Sequence, residues 1–343
     1  MAITTISNLW TPDIWIDAMR EQQATFPVLM NSGAVVKSPT FDGIASGAGA
    51  SANIPFWKDI TDQADEIQVE DTAPTTNNGI TSGTMVTPIL NRVTKNIATA
   101  LAAAVSGGDP VAEITSQMAQ RRLKQRQTTL ISMLGGLFGV AAAPDAATGC
   151  IRANRYDKFS ETGASPSTTN TFDYDMFING KALLGELSDS LRNGAMFVHS
   201  AILAGLQKLD QTSFKEKSMG AFTIQTYRDV PLFVSDSLVR AGGTSGYVYY
   251  TYLLAAGAIA YGEKAQAGDV VDAASLQYYA DKDKNNEYIW DRTRFAAHLL
   301  GTKWVGTASG QSATNAELAT AGNWNLVFSS AARIPAVLIR TNA

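Results

Sequence analysis

The chain has little of the residue types that build metal sites and disulfide frameworks. Its 343 residues include one cysteine, Cys150, and two histidines. A single cysteine excludes a disulfide framework and a thiolate metal cluster, and it is typical of a reducing compartment. Charged residues make up 17% of the sequence and apolar residues 45%, whereas about 25% charge is usual in soluble domains. This shortage of charge predicts a surface that is partly covered by other subunits.

Motifs for catalysis and cofactor binding are also missing. Neither His199 nor His298 has another ligand type at metal spacing, and no HExxH or CxxC pattern occurs. GAGASA at Gly47–Ala52 is followed by Pro55 where a dinucleotide motif needs a helix, which favours a flexible loop. We therefore expect core or capping roles for the two histidines, an inert Cys150, and no enzyme activity, cofactor or metal.

Long apolar runs and targeting signals are lacking as well. The first residues, MAITTISNLWTPDIW, contain no basic stretch followed by an apolar one, so we predict no secretory signal. The uncharged run Ala241–Gly262 is diluted by Gly, Ser and Thr, whereas a membrane span needs about 20 predominantly apolar residues. No membrane partner is expected. The net charge of −4 gives no overall reason for tight binding to nucleic acid.

The charges that are present are sorted along the chain. Residues 1–75 carry ten acids and three bases, a net charge of −7, and residues 91–158 carry nine bases and four acids, a net charge of +5. The two segments either pack within one molecule, meet between copies, or form two separate solvated faces. Charge complementarity mainly sets partner choice and register.

The length allows two to three domains, and helices mix with strands without a regular βαβ order, so we predict an α+β fold. Residues 1–40 read as an extended arm with a helical turn around Asp13–Gln23. We predict an extended loop for residues 41–90. Its beginning is too rich in Gly and Ser to form a regular element, and weak strands at Ile54–Trp57 and Ile67–Val69 and a turn at Asn78-Gly79 should follow.

The clearest helix is predicted for residues 109–135. Asp109 is a favoured N-cap, Pro110 suits the first helical position, and Gly135-Gly136 is expected to begin the stop. Its middle, QMAQRRLKQRQ, is polar on most sides, so we expect the helix to lie across a surface.

The second half alternates helices and strands. We predict a helix at Asp175–Arg192, a buried strand at Ala195–Val198, and a helix capped by Ser200. Two strands should flank Arg228-Asp229, and NLVFSS with IPAVLIRT should form a final hairpin pair.

This order of parts resembles the major capsid protein of tailed bacteriophages, with its Hong Kong 97-like fold. The stretches that carry the resemblance are GDPVAEITSQMAQRRLKQRQTTLISMLGGLF as a spine helix, AMFVHSAILAGLQKL, DVPLFVSDSL, YLLAAGAIAYGEK, and the tail from RTRFAAHLLGTKWVG to IPAVLIRTN. The resemblance implies the following parts: an N-terminal arm (1–40), an extended loop (41–90), a peripheral domain (91–165) that contains the spine helix (109–135), an axial domain (166–285), and a return to the peripheral domain (286–343).

The resemblance also implies a function. Hexamers and pentamers of the chain would form an icosahedral shell around double-stranded DNA, held loosely and without sequence specificity. The expected location is the virion capsid, assembled in the host cytoplasm. Expected partners are a scaffolding protein, a portal and a decoration protein. Because the chain starts directly with the arm, the scaffold would be either a separate protein or a segment already cleaved, and the initiating Met1 favours a separate protein.

The sorted charges then suggest which segments meet between copies. The acidic loop would lie over the basic part of a neighbour's spine helix, and single exposed pairs are worth only about 0–1 kcal/mol each. The candidate contact residues are Lys58, Asp59, Asp62, Asp65, Glu66, Glu70, Asp71, Arg121, Arg122, Lys124 and Arg126. The same arginines could instead contact packaged DNA.

The sequence is compatible with three alternatives. Some family members form a covalent cross-link from a loop lysine, for which Lys58 is the only candidate in residues 41–90; otherwise it is an ordinary exposed lysine. An encapsulin-like nanocompartment would share the fold and hold cargo enzymes. A hydrolase that uses His199 or His298 is the enzymatic alternative.

Overall fold

The computed structural model confirms a mixed fold of helices and sheets. It describes residues 28–60, 79–99, 110–140, 149–160, 170–209, 211–219, 222–241, 246–265, 271–272, 274–283 and 285–342.

Five α-helices lie in the described residues: α1 (Pro39–Ser46), α2 (Pro110–Phe138), α3 (Tyr174–Ala182), α4 (Ser200–Leu209) and α5 (Asn315–Ala319). Short 3-10 segments accompany them at Leu29–Asn31, Arg152–Asn154, Gly185–Asn193, Gln211–Ser213, Ala321–Asn323 and Ala331–Arg333.

Sixteen strands lie in the same part of the chain: β1 (Val35–Lys37), β2 (Ser51–Trp57), β3 (Ser82–Thr99), β4 (Arg155–Lys158), β5 (Ala195–Val198), β6 (Phe214–Met219), β7 (Phe222–Tyr227), β8 (Val230–Val234), β9 (Val239–Ala241), β10 (Tyr247–Leu254), β11 (Ile259–Glu263), β12 (Leu276–Asp281), β13 (Asn286–Leu299), β14 (Thr302–Trp304), β15 (Trp324–Leu326) and β16 (Ala336–Thr341).

The first sheet is organised around the 18-residue strand β3. Its order is β1-β11-β13-β3-β2, with β12 also paired to β13. The first half of β3 pairs with β2, and its second half pairs with β13 from Ile89 to Thr99. One strand therefore belongs both to the sheet and to the two-stranded ribbon that leads into residues 61–78.

The central strands of the second sheet are buried on both faces. The order of the sheet is β4-β16-β10-β5-β8-β7-β6, with β9 paired to β10. In β5, Ala195 and Phe197 face the hydrophobic cluster that contains α2, whereas Met196 and Val198 face the cluster that contains α3 and α4. This double burial explains the uninterrupted apolar runs AMFV and AVLI, because alternation disappears when both faces are covered.

Helix α2 is the predicted spine helix, but it ends later than expected. It continues through Gly135 and Gly136 to Phe138 and stops at Gly139, whose φ of +71° suits glycine. A side chain at position 136 would overlap the carbonyl oxygen of Leu318 and lie 2.8 Å from Trp324 Nε1. The glycine therefore allows close packing of α5 and is not a stop signal. Asp109 lies outside the described residues.

Two other helix predictions are corrected. The helix expected at Asp175–Arg192 is α3, after which Gly185, at φ +53°, is followed by a 3-10 segment. The N-cap of α3 is Asp173, whose side chain accepts a hydrogen bond from the Met176 N–H at 2.8 Å. Helix α4 begins at Ser200 but is capped by the preceding residue, His199, whose Nδ1 accepts from the Ala201 N–H at 3.1 Å.

The predicted C-terminal hairpin is wrong. Strand β15 pairs with β14, whereas β16 lies in the second sheet between β10 and β4. Both segments have the composition of strands, but their partners are distant in sequence.

The start of the predicted loop is more ordered than its composition indicated. Residues 39–46 form α1, with Phe41 and Ala45 buried, and Ser51–Trp57 is a regular strand rather than part of a flexible loop. Pro55 fits because the strand pairs on one side only, with β3. The helical turn at Asp13–Gln23, the strand at Ile67–Val69 and Asn78 lie outside the described residues.

The remaining strand predictions are confirmed. Strands β7 and β8 flank Arg228-Asp229, and both of these residues have positive φ. The predicted domain limits stay predictions, and sheet membership crosses the limit between residues 285 and 286, since β16 pairs with β10 and β11 pairs with β13.

Candidate assembly surface

Half of the bases in the middle of α2 are paired with acids of the same chain. Arg122 donates from Nε to both carboxylate oxygens of Asp291, each at 2.9 Å, and Asp291 is buried. Arg126 forms an ion pair with Glu263. Two of the four predicted contact bases therefore hold α2 onto the first sheet.

The other two bases, Arg121 and Lys124, are on the exposed side of the helix. Arg121 donates a hydrogen bond to the Thr94 hydroxyl and remains exposed, and Lys124 is exposed as well. They are the predicted bases best placed to meet another molecule.

A chain of charges links the N-terminal part of the sheet to α2. Lys37 lies 3.9 Å from Asp42 and 3.6 Å from Glu263, and Glu263 also pairs with Arg126. Asp42 accepts the Glu263 N–H at 2.8 Å. The four side chains join β1, α1, β11 and α2 with no net charge, so this basic surface is weaker than the sequence count suggested.

The root of the acidic loop contacts the C-terminal part of its own chain. Asp59 Oδ2 lies 2.6 Å from Arg333 Nη1, and the Lys58 N–H donates to the Thr81 carbonyl at 2.8 Å. The Lys58 side chain is exposed. Asp62, Asp65, Glu66, Glu70 and Asp71 lie outside the described residues.

Aromatic rings support the same root. The Phe56 ring lies over Gly83, where a Cβ would be 2.6 Å from it, and meets the Phe328 ring edge-on at 5.7 Å between centroids. Phe328 in turn covers Gly301, whose φ is +83°. The ribbon therefore leaves the body of the protein at a packed apolar contact, beside the Asp59–Arg333 pair.

The histidines have structural roles. His199 caps α4, and its Nε2 lies 3.8 Å from Asp236 Oδ1. Burial lowers the pKa of His199, and the Asp236 charge opposes this shift. His298 is buried, stacks on Phe41 at 6.3 Å, and has a pKa lowered to about 4 by burial. Core and capping roles, as expected, account for both.

The Cys150 thiol stays protonated at neutral pH, the form that is weakly nucleophilic. Burial raises the pKa of the Cys150 thiol to about 12. Among the described residues, no three His, Cys, Asp or Glu side chains group as metal ligands. In the same ranges, no helix has the length and apolar character that a membrane crossing requires.

Sequence reasoning missed one surface feature, a row of aromatic rings on β12 and β13. Tyr279, Tyr288 and Trp290 stack in succession, with Lys95 against the last two rings. The alternation in NEYIWDR places Tyr288, Trp290 and Arg292 on one face of a strand, and this pattern could have revealed the row.

Comparison with known proteins gives one sequence relative over nearly the whole chain. The chain is 24% identical over 332 residues to the major capsid protein of Bacillus phage SPP1, covering 96% of this chain and 95% of that protein. No family model matches.

Solved capsid structures share the fold. The capsid of Ralstonia phage GP4 aligns with a TM-score of 0.58 at 9% identity, over 97% of this chain and 96% of that one. The capsid asymmetric unit of cyanophage Pam1 aligns with a TM-score of 0.60 at 9% identity, over the same shares. The predicted resemblance and the Hong Kong 97-like fold are confirmed, and the encapsulin alternative is not favoured.

Proposed function

We propose that this chain is the major capsid protein of a tailed bacteriophage and that copies of it build the viral shell. The observation that carries the proposal is the match to the SPP1 major capsid protein over 96% of this chain and 95% of the relative. Because the match includes both sheets and α2, it concerns the whole architecture. Capsid proteins among the relatives support a structural role rather than a hydrolase.

The finer parts of the proposal concern the particle. Hexamers and pentamers form an icosahedral shell in the host cytoplasm, around double-stranded DNA that the chain contacts loosely. A scaffolding protein, a portal and a decoration protein act with it. The low charged fraction of 17% supports extensive subunit contact.

We also propose that the acidic loop meets a basic surface of a neighbouring copy. Residues 61–78 contain five acids and no base. Because Arg122 and Arg126 have acidic partners in their own chain, we expect Arg121 and Lys124 to receive the loop, while Asp59 stays with Arg333. Such contacts mainly fix the relative position of neighbouring copies and contribute little to the affinity between them. Lys58 remains a candidate for a neighbour contact at the loop root.

Electron microscopy of negatively stained, purified protein tests assembly. We expect shells, tubes or capsomers, with matching fast-sedimenting species in analytical ultracentrifugation. A protein that stays monomeric at milligram-per-millilitre concentration, alone and co-expressed with its neighbouring phage genes, would contradict the proposed function.

Charge reversal tests the loop contact. Asp65, Glu66 and Glu70 are changed together to Lys, and we expect assembly to fail while the circular dichroism spectrum and melting temperature stay unchanged. A matched triple reversal at exposed Glu186, Glu216 and Asp283 is the control.

A compensating change tests the partner bases. Arg121→Glu with Lys124→Glu should restore assembly of the reversed loop if these bases face it. Normal particles from the reversed loop alone would refute the contact. A loss of salt-dependent DNA binding in Arg121→Glu particles that assemble normally would assign the bases to DNA instead.

A further inference from the structure

The first sheet has a face that is only partly covered. Adjacent strand residues point to opposite faces, and Asp291 and Thr94 contact α2, so their neighbours Trp290, Arg292 and Lys95 lie on the other face. At one end of that face, α1 packs on Ala296 through Phe41 and Ala45. The other end carries the six residues that we call the aromatic strip: Val93, Lys95, Tyr279, Tyr288, Trp290 and Arg292.

The aromatic strip is preorganised by ring and cation contacts. Tyr279 stacks on Tyr288 at 6.2 Å, and Tyr288 stacks on Trp290 at 6.1 Å, between ring centroids. Lys95 Nζ lies 4.2 Å and 4.6 Å from the centroids of Tyr288 and Trp290, and Arg292 Cζ lies 5.6 Å from that of Trp290. Rings held in this way lose little conformational entropy when a partner covers them.

Half of the strip is exposed, and the strip has the composition of a binding hot spot. Val93 is 67% exposed, Tyr279 is 61% exposed and Lys95 is exposed as well, whereas Tyr288, Trp290 and Arg292 are half-buried. Trp, Tyr and Arg are the residues most enriched among those that dominate interface energies. The strip contains two cations and no acid, so its chemistry suits a partner segment that combines rings or apolar side chains with carboxylates.

We infer that the strip is covered by residues 10–17 of the chain's own N-terminal arm, WTPDIWID. This segment places Trp10 and Trp15 for contact with the rings and Asp13 and Asp17 for contact with Lys95 and Arg292. The acidic segment 61–78 is the other candidate in this chain, but it contains no aromatic residue. The arm therefore matches both properties of the strip, whereas the acidic segment matches only its charge.

The arm also starts close enough to the strip. The Leu29 N–H donates to Gln127 Oε1 on α2 at 3.1 Å. Arg122 lies five residues earlier on the same helix and binds Asp291, which is next to Trp290 in β13. Five helical residues span about 7.5 Å. The eleven residues from Asp17 to Val28 reach about 36 Å when extended, and about 26 Å with Asp17–Gln23 in the predicted helical turn. Helix α1 covers one end of this face of the sheet. The arm would cover the other end, which carries the aromatic strip.

Cross-linking of the full-length chain tests the inference. Ile16→Cys, which keeps both tryptophans of the arm, is combined with Val93→Cys and treated with a short bismaleimide, and peptide mapping measures the linked product. We expect linkage at least ten times faster than in the matched pair of Ile16→Cys with Val305→Cys, since Val305 is also an exposed valine, 43% accessible. Equal rates in the two pairs would overturn the inference.

A charge change and isotope mixing sharpen the result. Lys95→Glu should slow the linkage at least fivefold, whereas Lys282→Glu, at an exposed position, should leave it unchanged; equal effects would contradict the assigned cations. Mixing equal amounts of ¹⁵N-labelled and unlabelled copies identifies the donor, because own-chain arms give no mixed-isotope product, whereas arms from other copies give mixed isotopes in about half of the links. A mixed fraction near one half would refute docking on the own chain. The readout needs no shell formation, so its failure is distinct from failure of the proposed function.

Discussion

The Arg122 guanidinium binds both carboxylate oxygens of Asp291, and this pair connects α2 to β13. The carboxylate is only 3% exposed, so removal of the arginine would leave a buried charge without its main partner. Breaking one side of such a pair costs about 3–5 kcal/mol. We expect Arg122→Ala to lower the free energy of unfolding by that amount in urea titrations. Lys124→Ala, two residues away and exposed, is the control and should change it by less than about 0.5 kcal/mol.

A matched glycine pair in α2 tests the close packing against α5. Gly136→Ala would push its methyl group into the Leu318 carbonyl, whereas a Cβ at Gly135 has nothing nearer than Val140 Cγ2 at 3.9 Å. We expect Gly136→Ala to destabilise by about 1–3 kcal/mol through overpacking, measured by thermal unfolding. Gly135→Ala should stabilise by up to about 1 kcal/mol, because alanine favours the helix. Equal effects at the two positions would show that helix propensity alone governs this segment.

Buried His298 predicts a loss of stability in mild acid. Burial lowers its pKa from 6.5 to about 4, so the unfolded chain binds a proton at a pH where the folded chain does not. Stability from this group is therefore present above pH 6.5 and falls as the pH drops from 6.5 towards 4. Between pH 7 and pH 5 the loss should be about 2 kcal/mol, because each unit of difference is worth about 1.4 kcal/mol.

The control for this pH effect is His298→Leu. The variant removes the titrating ring from beneath Phe41, so its unfolding free energy should depend less on pH by the same amount between pH 7 and pH 5. Equal pH slopes in the two proteins would show that other groups cause the acid sensitivity.

Cys150 should react slowly in the folded protein. Its pKa is raised from 9.0 to about 12 by burial, and only the thiolate is nucleophilic. A three-unit difference lowers the thiolate fraction at pH 8 about a thousandfold. Because the more basic thiolate is also the stronger nucleophile, reaction with a disulfide reagent should be about 30- to 60-fold slower than in the unfolded chain. Absorbance kinetics with and without 6 M guanidinium measure the ratio; similar rates would mean that the site opens freely.

The elements that sequence analysis located best are those whose signals are local. Helix α2 begins at Pro110 as expected, and β5 occupies Ala195–Val198 as expected. Errors arose where a distant contact decided the outcome. Gly136 looked like a stop but makes room for Leu318, and β15 and β16 looked like neighbours although they pair with β14 and β10.

The candidate contact residues show the same division. The sequence shows their charges, but their partners depend on the folded topology. Arg122 pairs with Asp291, 169 residues away, and Asp59 pairs with Arg333, 274 residues away. The aromatic strip needs β12, β13 and β3 side by side, and their pairing joins residues almost 200 positions apart in sequence. No single strand carries more than three of the six residues of the strip, so no one strand shows the whole pattern.

The continuity of β3 has a mechanical consequence. Tension on the ribbon would run along the strand into its eleven register pairs with β13, from Ile89–Ala296 to Thr99–Asn286. Strands pulled along their own length load their hydrogen bonds in shear and all together, whereas strands peeled from an end lose them one by one. The full length of the β3–β13 pairing therefore resists force that arrives through the ribbon. In a shell built from copies of this chain, the hydrogen-bonded strands of the sheet would carry outward pressure.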